Sequence, residues 1–161
     1  MASTYTPIAT QTLGSAAASV TFSSISGAYT DLILVISAQG ASGASSAINA
    51  YFNADTASNY SYTQVTGDGT SAASARTSSS TRMRLGWSAV SSAFAPIVFH
   101  IQNYSNTTTY KTSVGRINDA ASITGAVVNL WRSTAAVTSL SFGTGGNFAQ
   151  YSSFALYGIK G

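Results

Sequence analysis

One histidine, His100, and four aspartates, Asp31, Asp55, Asp68 and Asp119, are the whole acid–base supply of a 161-residue chain without glutamate or cysteine. Hydrolytic and general acid–base mechanisms need a group that titrates near neutrality, or paired carboxylates in unlike surroundings. His100 falls on the polar side of an alternating stretch beside Gln102, with no sequence-local carboxylate to orient it. It reads as a satisfied surface or interface histidine. Asp31 stands at a strand start, and Asp68 in Gly67-Asp68-Gly69 and Asp119 after Asn118 have the look of turn residues. Asp55, between Asn53 and Asn59, could supply oxygens to a calcium ion, but an Asx-turn explains the same residues more simply.

Other motifs lead to the same place. Gly86-Trp87-Ser88-Ala89-Val90 approaches a nucleophile elbow but lacks the closing glycine and the strand-to-helix setting. Gly143-Thr144-Gly145-Gly146 has glycines without a lysine or a following helix, so it reads as a turn and not a phosphate cradle. The absence of cysteine excludes disulfides and thiolate metal sites. The chain is therefore expected to be non-enzymatic, with no cofactor and no metal.

What remains is side chains suited to contact. Arg82 and Arg84 are placed on one face of a strand, where they could meet phosphates or an acidic partner surface. Trp87, Tyr60, Tyr62, Tyr104 and Trp131 lie near Asn, Ser and Thr, the company kept by sugar-stacking rings and interface anchors. These seven residues are the candidate interface or ligand contacts, although most of the aromatics are expected in the core and the two arginines read equally well as solvated strand-edge charges.

The elements that must position them are strands. Ser, Thr, Asn and Gly dominate the polar positions and compete with a helical backbone for hydrogen bonds, and helical periodicity is nearly absent. Short alternating or apolar runs predict strands over 8–13, 19–25, 31–38, 48–53, 60–65, 82–88, 96–104, 110–116, 126–132, 137–142 and 154–159. Val20 and Phe22 alternate with polar neighbours, as do Ile97, Phe99 and Ile101, so those strands have one dry face. Leu32-Ile33-Leu34-Val35-Ile36 is apolar on both faces, as expected in mid-sheet with a cover on each side or a neighbouring subunit against one. The segments 39–47 and 66–81, rich in Gly, Ser and Ala, read as surface loops, and 103–109 and 143–147 as hairpin turns. Together these predict one all-β domain over 1–161, an antiparallel β-sandwich with a jelly roll as the leading choice.

Composition then narrows the function classes. Charged residues make up 7% of the chain, against about a quarter in an ordinary soluble domain, while 45% are hydrophobic and 11% aromatic. A core is available, and the surface must be made of hydroxyls and amides. Such a surface has little like-charge repulsion, which makes assembly into a larger particle natural. A formal net charge of +3 is too small for a nucleic-acid face. The longest strictly aliphatic run, 32–36, is far short of the ~20 residues of a spanning helix, and the first twenty residues have no secretory pattern. The chain is expected to be soluble and made in a cytoplasm without export.

The segments YTPIATQTLGSAAASVTFSSISGAYTDLILVIS (5–37), FNADTASNYSY (52–62), NYSNTTTYKTSVGR (103–116), VVNLWRSTAAVTSLSF (127–142) and FALYGIKG (154–161) resemble small virion proteins of tailed bacteriophages, especially those of aquatic bacteria such as cyanobacteria. The resemblance implies a jelly-roll subunit, commonly trimeric, carried on the outer surface of the particle and made in the host cytoplasm. It implies a capsid decoration (cement) protein bound to the major capsid protein, or a part of a tail or fibre. It carries no catalytic residue. Three functions compete: a decoration protein acting through many neutral contacts, a receptor- or glycan-binding module using loop Trp, Tyr and Asn, and an enzyme. The last would require His100 to meet an aspartate in a cleft.

Overall fold

The computed structural model describes residues 4–41, 46–87, 93–119 and 122–160. Among the described residues there are twelve strands: β1 (Tyr5–Thr12), β2 (Ala17–Phe22), β3 (Asp31–Ala38), β4 (Ala47–Phe52), β5 (Tyr60–Gly67), β6 (Ala72–Ser80), β7 (Met83–Trp87), β8 (Ala95–Gln102), β9 (Lys111–Asp119), β10 (Ile123–Trp131), β11 (Leu140–Phe148) and β12 (Ser153–Ile159). They form an eight-stranded sheet in the order β1-β12-β3-β8-β9-β10-β5-β6 and a four-stranded sheet in the order β2-β11-β4-β7, with every pairing antiparallel. The two sheets pack as a β-sandwich, and no helix occurs among the described residues.

The period-two pattern decides which half of each strand makes the core. Leu32, Leu34 and Ile36 of β3, Ile97, Phe99 and Ile101 of β8, and Phe154 and Leu156 of β12 face inward. Ile48, Ala50 and Phe52 of β4 meet them from the small sheet, with Leu140 and Phe142 of β11. Phe142 stacks on Phe154 at 5.6 Å, and Phe148 meets the same ring edge-on at 5.0 Å, so aromatic contacts cross between the sheets. Such pairs stabilise by about 0.5–1.5 kcal/mol beyond the area they bury.

Glycine is required at two crossings. A Cβ on Gly115 would stand 2.6 Å from both the Phe99 ring and the Val98 carbonyl oxygen. On Gly125 it would collide with the Val65 carbonyl oxygen of the neighbouring strand.

Three expectations need correction. The loop expected over 66–81 is instead a hairpin: β5 runs to Gly67, Asp68 takes the N–H groups of Thr70 and Ser71 in the turn, and β6 returns antiparallel. β6 escapes a pattern search because it is an edge strand wet on both faces, and so it has no apolar alternation to detect. Residues 143–147 are not a hairpin turn but lie inside β11. The stretch 96–104 is shorter than expected, since β8 ends at Gln102 and Tyr104 belongs to the following turn. The turn at 103–109 is as expected, closed by Asn106 accepting from the N–H groups of Thr108 and Thr109. In the expected loop 39–47, Gly40 bridges to Phe148, and 42–45 fall outside the described residues.

Candidate functional site

The sandwich has two outer faces of opposite character. Over the four-stranded sheet the outward positions are Ser19 and Thr21 on β2, Ser141 and Gly143 on β11, and Asn49 and Tyr51 on β4, a polar covering. On the eight-stranded sheet one outward row runs Ala155–Val35–Val98–Arg116–Ala126–Val65. The next runs Tyr157–Ile33–His100–Val114–Val128–Thr63. Val35, Val65, Val114 and Val128 are 38%, 55%, 42% and 51% exposed, so this face presents branched aliphatic side chains to solvent. Open hollows of about 190 and 250 Å³ flank Val128. The doubly apolar run at 32–36 resolves accordingly: Leu32, Leu34 and Ile36 enter the core, while Ile33 and Val35 join the outer face, which no element among the described residues covers.

His100 sits in the middle of that face, and Asp31, at the start of β3, reaches it across the strand boundary. The histidine Nε2 and Asp31 Oδ2 are 2.7 Å apart, and the other carboxylate oxygen accepts the Asn103 N–H at 2.7 Å. Sequence proximity could not reveal this partner, 69 residues away. The pair lies on an open sheet surface. Neither residue lines the hollows beside Val128 or the depression of about 400 Å³ between the β5–β6 and β9–β10 turns.

The aspartates at the other candidate positions are occupied by protein donors. Asp55 Oδ1 accepts the Ala57 N–H at 2.8 Å, an Asx-turn, and Oδ2 accepts from Asn59 Nδ2 at 2.9 Å and Trp131 Nε1 at 2.7 Å. Burial pushes this carboxyl up, but the hydrogen bonds from Asn59, Trp131 and Ala57 outweigh it, and the group lies below the ordinary carboxylate range. Asn53 turns away: its side-chain oxygen accepts from the Thr138 and Ser139 N–H groups and its amide donates to the Ala136 carbonyl. Asn53, Asp55 and Asn59 thus form a folding clamp and do not gather oxygens around an ion. Among the described residues no group of three or more His, Cys, Asp or Glu converges as metal ligands would.

The seven contact candidates fall into a buried group of three, a second group of three gathered at one flank, and Arg82 by itself. Tyr60, Tyr104 and Trp131 are core residues, the alternative that the sequence left open for most of its aromatics. Trp131 stacks with Tyr60 at 6.3 Å and meets Phe52 edge-on at 5.4 Å. The Tyr60 hydroxyl accepts the Phe52 N–H and donates to the Asp55 carbonyl, and the Tyr104 hydroxyl donates to the Ser26 carbonyl. Each has a partner for its polar group, backbone groups for the two tyrosine hydroxyls and the Asp55 carboxylate for the Trp131 indole N–H, which removes the cost of burial.

Tyr62, Arg84 and Trp87 are brought together. β7 is the edge of the small sheet, and β9, β10 and β5 of the large sheet pack over it. In that open flank the Arg84 guanidinium lies 4.8 Å from the Trp87 ring centre and 5.9 Å from that of Tyr62, with all three half-buried. Asn129 fixes the backbone beneath, accepting the Arg84 N–H at 2.8 Å and donating to its carbonyl at 3.0 Å. Arg84 Nε is buried without a hydrogen-bond partner. Arg82 does not share the strand; it precedes β7 and is exposed. Ser88, in the rejected nucleophile elbow, lies outside the described residues.

No family model, curated protein or solved structure matches this chain. The geometry therefore has to carry the functional reading. Its two assets are a valine-rich band across the large sheet, interrupted by Arg116 and His100, and a cationic, aromatic flank. One further residue went unnoticed in sequence: Lys111 is fully buried, its ammonium held by the carbonyls of Thr109 at 2.7 Å and Thr134 at 3.2 Å, and burial lowers its pKa.

Proposed function

We propose that the chain is a structural virion subunit, a capsid decoration protein of a tailed phage that strengthens the head through neutral, apolar contacts. The observation that carries this reading is the inequality of the two outer faces. A monomer in water would be expected to cover both with polar groups, whereas the eight-stranded sheet exposes four valines. Eight strands ~4.8 Å apart and ~26 Å long offer roughly 900 Å², about the area one partner contributes to a stable interface. Valine and isoleucine are already restricted at χ1, so burying them costs little further side-chain entropy.

The strand order supports the jelly-roll part of the reading. β1-β12-β3-β8 facing β2-β11-β4-β7 has the alternation of eight strands in two Greek keys, with β5–β6 and β9–β10 added as hairpins that widen one sheet. Phage particles lacking the protein should assemble but rupture at a lower temperature, and adding it back should restore stability. Substituting V114K and V128K should abolish that restoration while leaving the fold intact. Unchanged rupture temperature without the protein would overturn the proposal.

A second reading, a receptor- or glycan-binding module of the tail or capsid surface, is favoured by the Tyr62–Arg84–Trp87 flank. Rings beside a guanidinium are suited to an acidic or neutral sugar. Retention of purified protein on a glycan array, lost in Trp87→Ala, would support it; no retention on an array or on host cells would sink it.

A further inference from the structure

We infer that β6 is a self-pairing edge through which two copies of this chain join into one continuous sheet across a two-fold axis. The two ends of the eight-stranded sheet are treated differently. β1 carries Pro7, which has no N–H to donate, and its register breaks between Pro7 and Ala9, so that edge is guarded in the ways that keep strands from pairing outward. Among the described residues β6 pairs with β5 alone; its own register break is confined to its end, between Thr77 and Ser80, and over Ala72–Thr77 the pairing runs without a break. The strand contains no proline, its residues are alanine, serine and threonine apart from Arg76, and it is exposed along most of its length. Small side chains leave its free N–H and C=O groups open to an approaching strand.

The occupant follows from the strand's own chemistry. With one guarded edge, head-to-tail pairing of β6 with β1 is blocked, which leaves the isologous arrangement of β6 with its own copy. Centred on Ser74, an antiparallel pair sets Arg76 opposite Ala72 of the partner subunit, so the only charge of the strand does not meet its like. Ala72, Ser74 and Arg76 share the side of Val65 and Thr63, and opposed residues point to one side of a sheet. The pairing therefore keeps both apolar outer faces on the same side, where one surface could receive both.

Sedimentation equilibrium of the full chain tests this, with a two-chain mass expected. The variant carrying Ala73→Lys and Ala75→Lys opposes like charges across the axis and should weaken the dimer by about tenfold or more, with an unchanged circular dichroism spectrum. In the unsubstituted protein, amides of 72–77 should exchange more slowly as concentration rises, a readout that does not depend on the variant folding. A monomer at every concentration, a trimer, or a dimer unaffected by the two lysines would overturn the inference. V114K with V128K should leave the dimer intact, which separates failure of this edge from failure of the proposed attachment face.

Discussion

Trp131 Nε1–H donates to Asp55 Oδ2 across 2.7 Å, tying the end of β10 to the connection between β4 and β5. The same corner holds Asn53 and Ala54 at positive φ of 51° and 55°, a conformation that the surrounding hydrogen bonds must maintain. Asp55→Ala would leave the buried indole N–H without its acceptor. The expected loss is about 1–3 kcal/mol of unfolding free energy, read from urea denaturation.

Acid should find the same corner. The Asp55 carboxyl titrates below its ordinary value of 3.8 in the folded chain, so the unfolded chain binds the proton first. Its contribution is present above that value and lost as pH falls through the folded pKa. Thermal melts between pH 2 and 6 should show Asp55→Asn with a flatter acid limb than the unsubstituted protein.

Alkali should act on two buried phenols. Burial is the largest influence on both Tyr60 and Tyr104 and raises them above the ordinary value of 10.0. Their contribution is complete below about pH 10 and declines above it, because the unfolded chain releases those protons more readily. Tyr60→Phe should reduce the fall in melting temperature between pH 10 and 11. It should also cost about 1 kcal/mol at neutrality through its lost hydrogen bonds.

Gly125→Ala should be far more disruptive than an ordinary alanine substitution, since the methyl would enter the Val65 carbonyl and push β5 from β10. A loss of about 3 kcal/mol or more is expected, in the range of overpacking and lost ladder bonds. Hydrogen exchange should show β5 and β6 losing protection before β3 and β8.

Lys111→Met should leave stability within about 1 kcal/mol at neutral pH, because removing a buried charge offsets the loss of its carbonyl contacts. The folded lysine has a lowered pKa, so the unfolded chain holds the proton to higher pH and stability should rise as the lysine is neutralised. The methionine variant should lack that rise in denaturation midpoints between pH 7 and 10.

The residues themselves determined a large part of this protein. Alternation in 19–25 and 96–101, the doubly apolar run at 32–36 and the near absence of helical periodicity pointed to an antiparallel sandwich, and scarce acids and one histidine left few groups for acid–base chemistry. Strand identity was legible wherever one face had to be dry. It was not legible for β6, whose two wet faces leave no period, nor for residues 143–147, whose glycines look like a turn but extend β11. Contacts between distant strands were decided only by tertiary structure. Register set Asp31 beside His100, and the packing of β5 over the edge of the small sheet gathered Tyr62, Arg84 and Trp87. It also sent Tyr60, Tyr104 and Trp131 inward despite their polar neighbours. The physical reason is that burial is a property of the far side of a contact. A sequence shows that Val35, Val114 and Val128 are apolar, but only the assembled sheet shows that the face they share is left uncovered by the described residues.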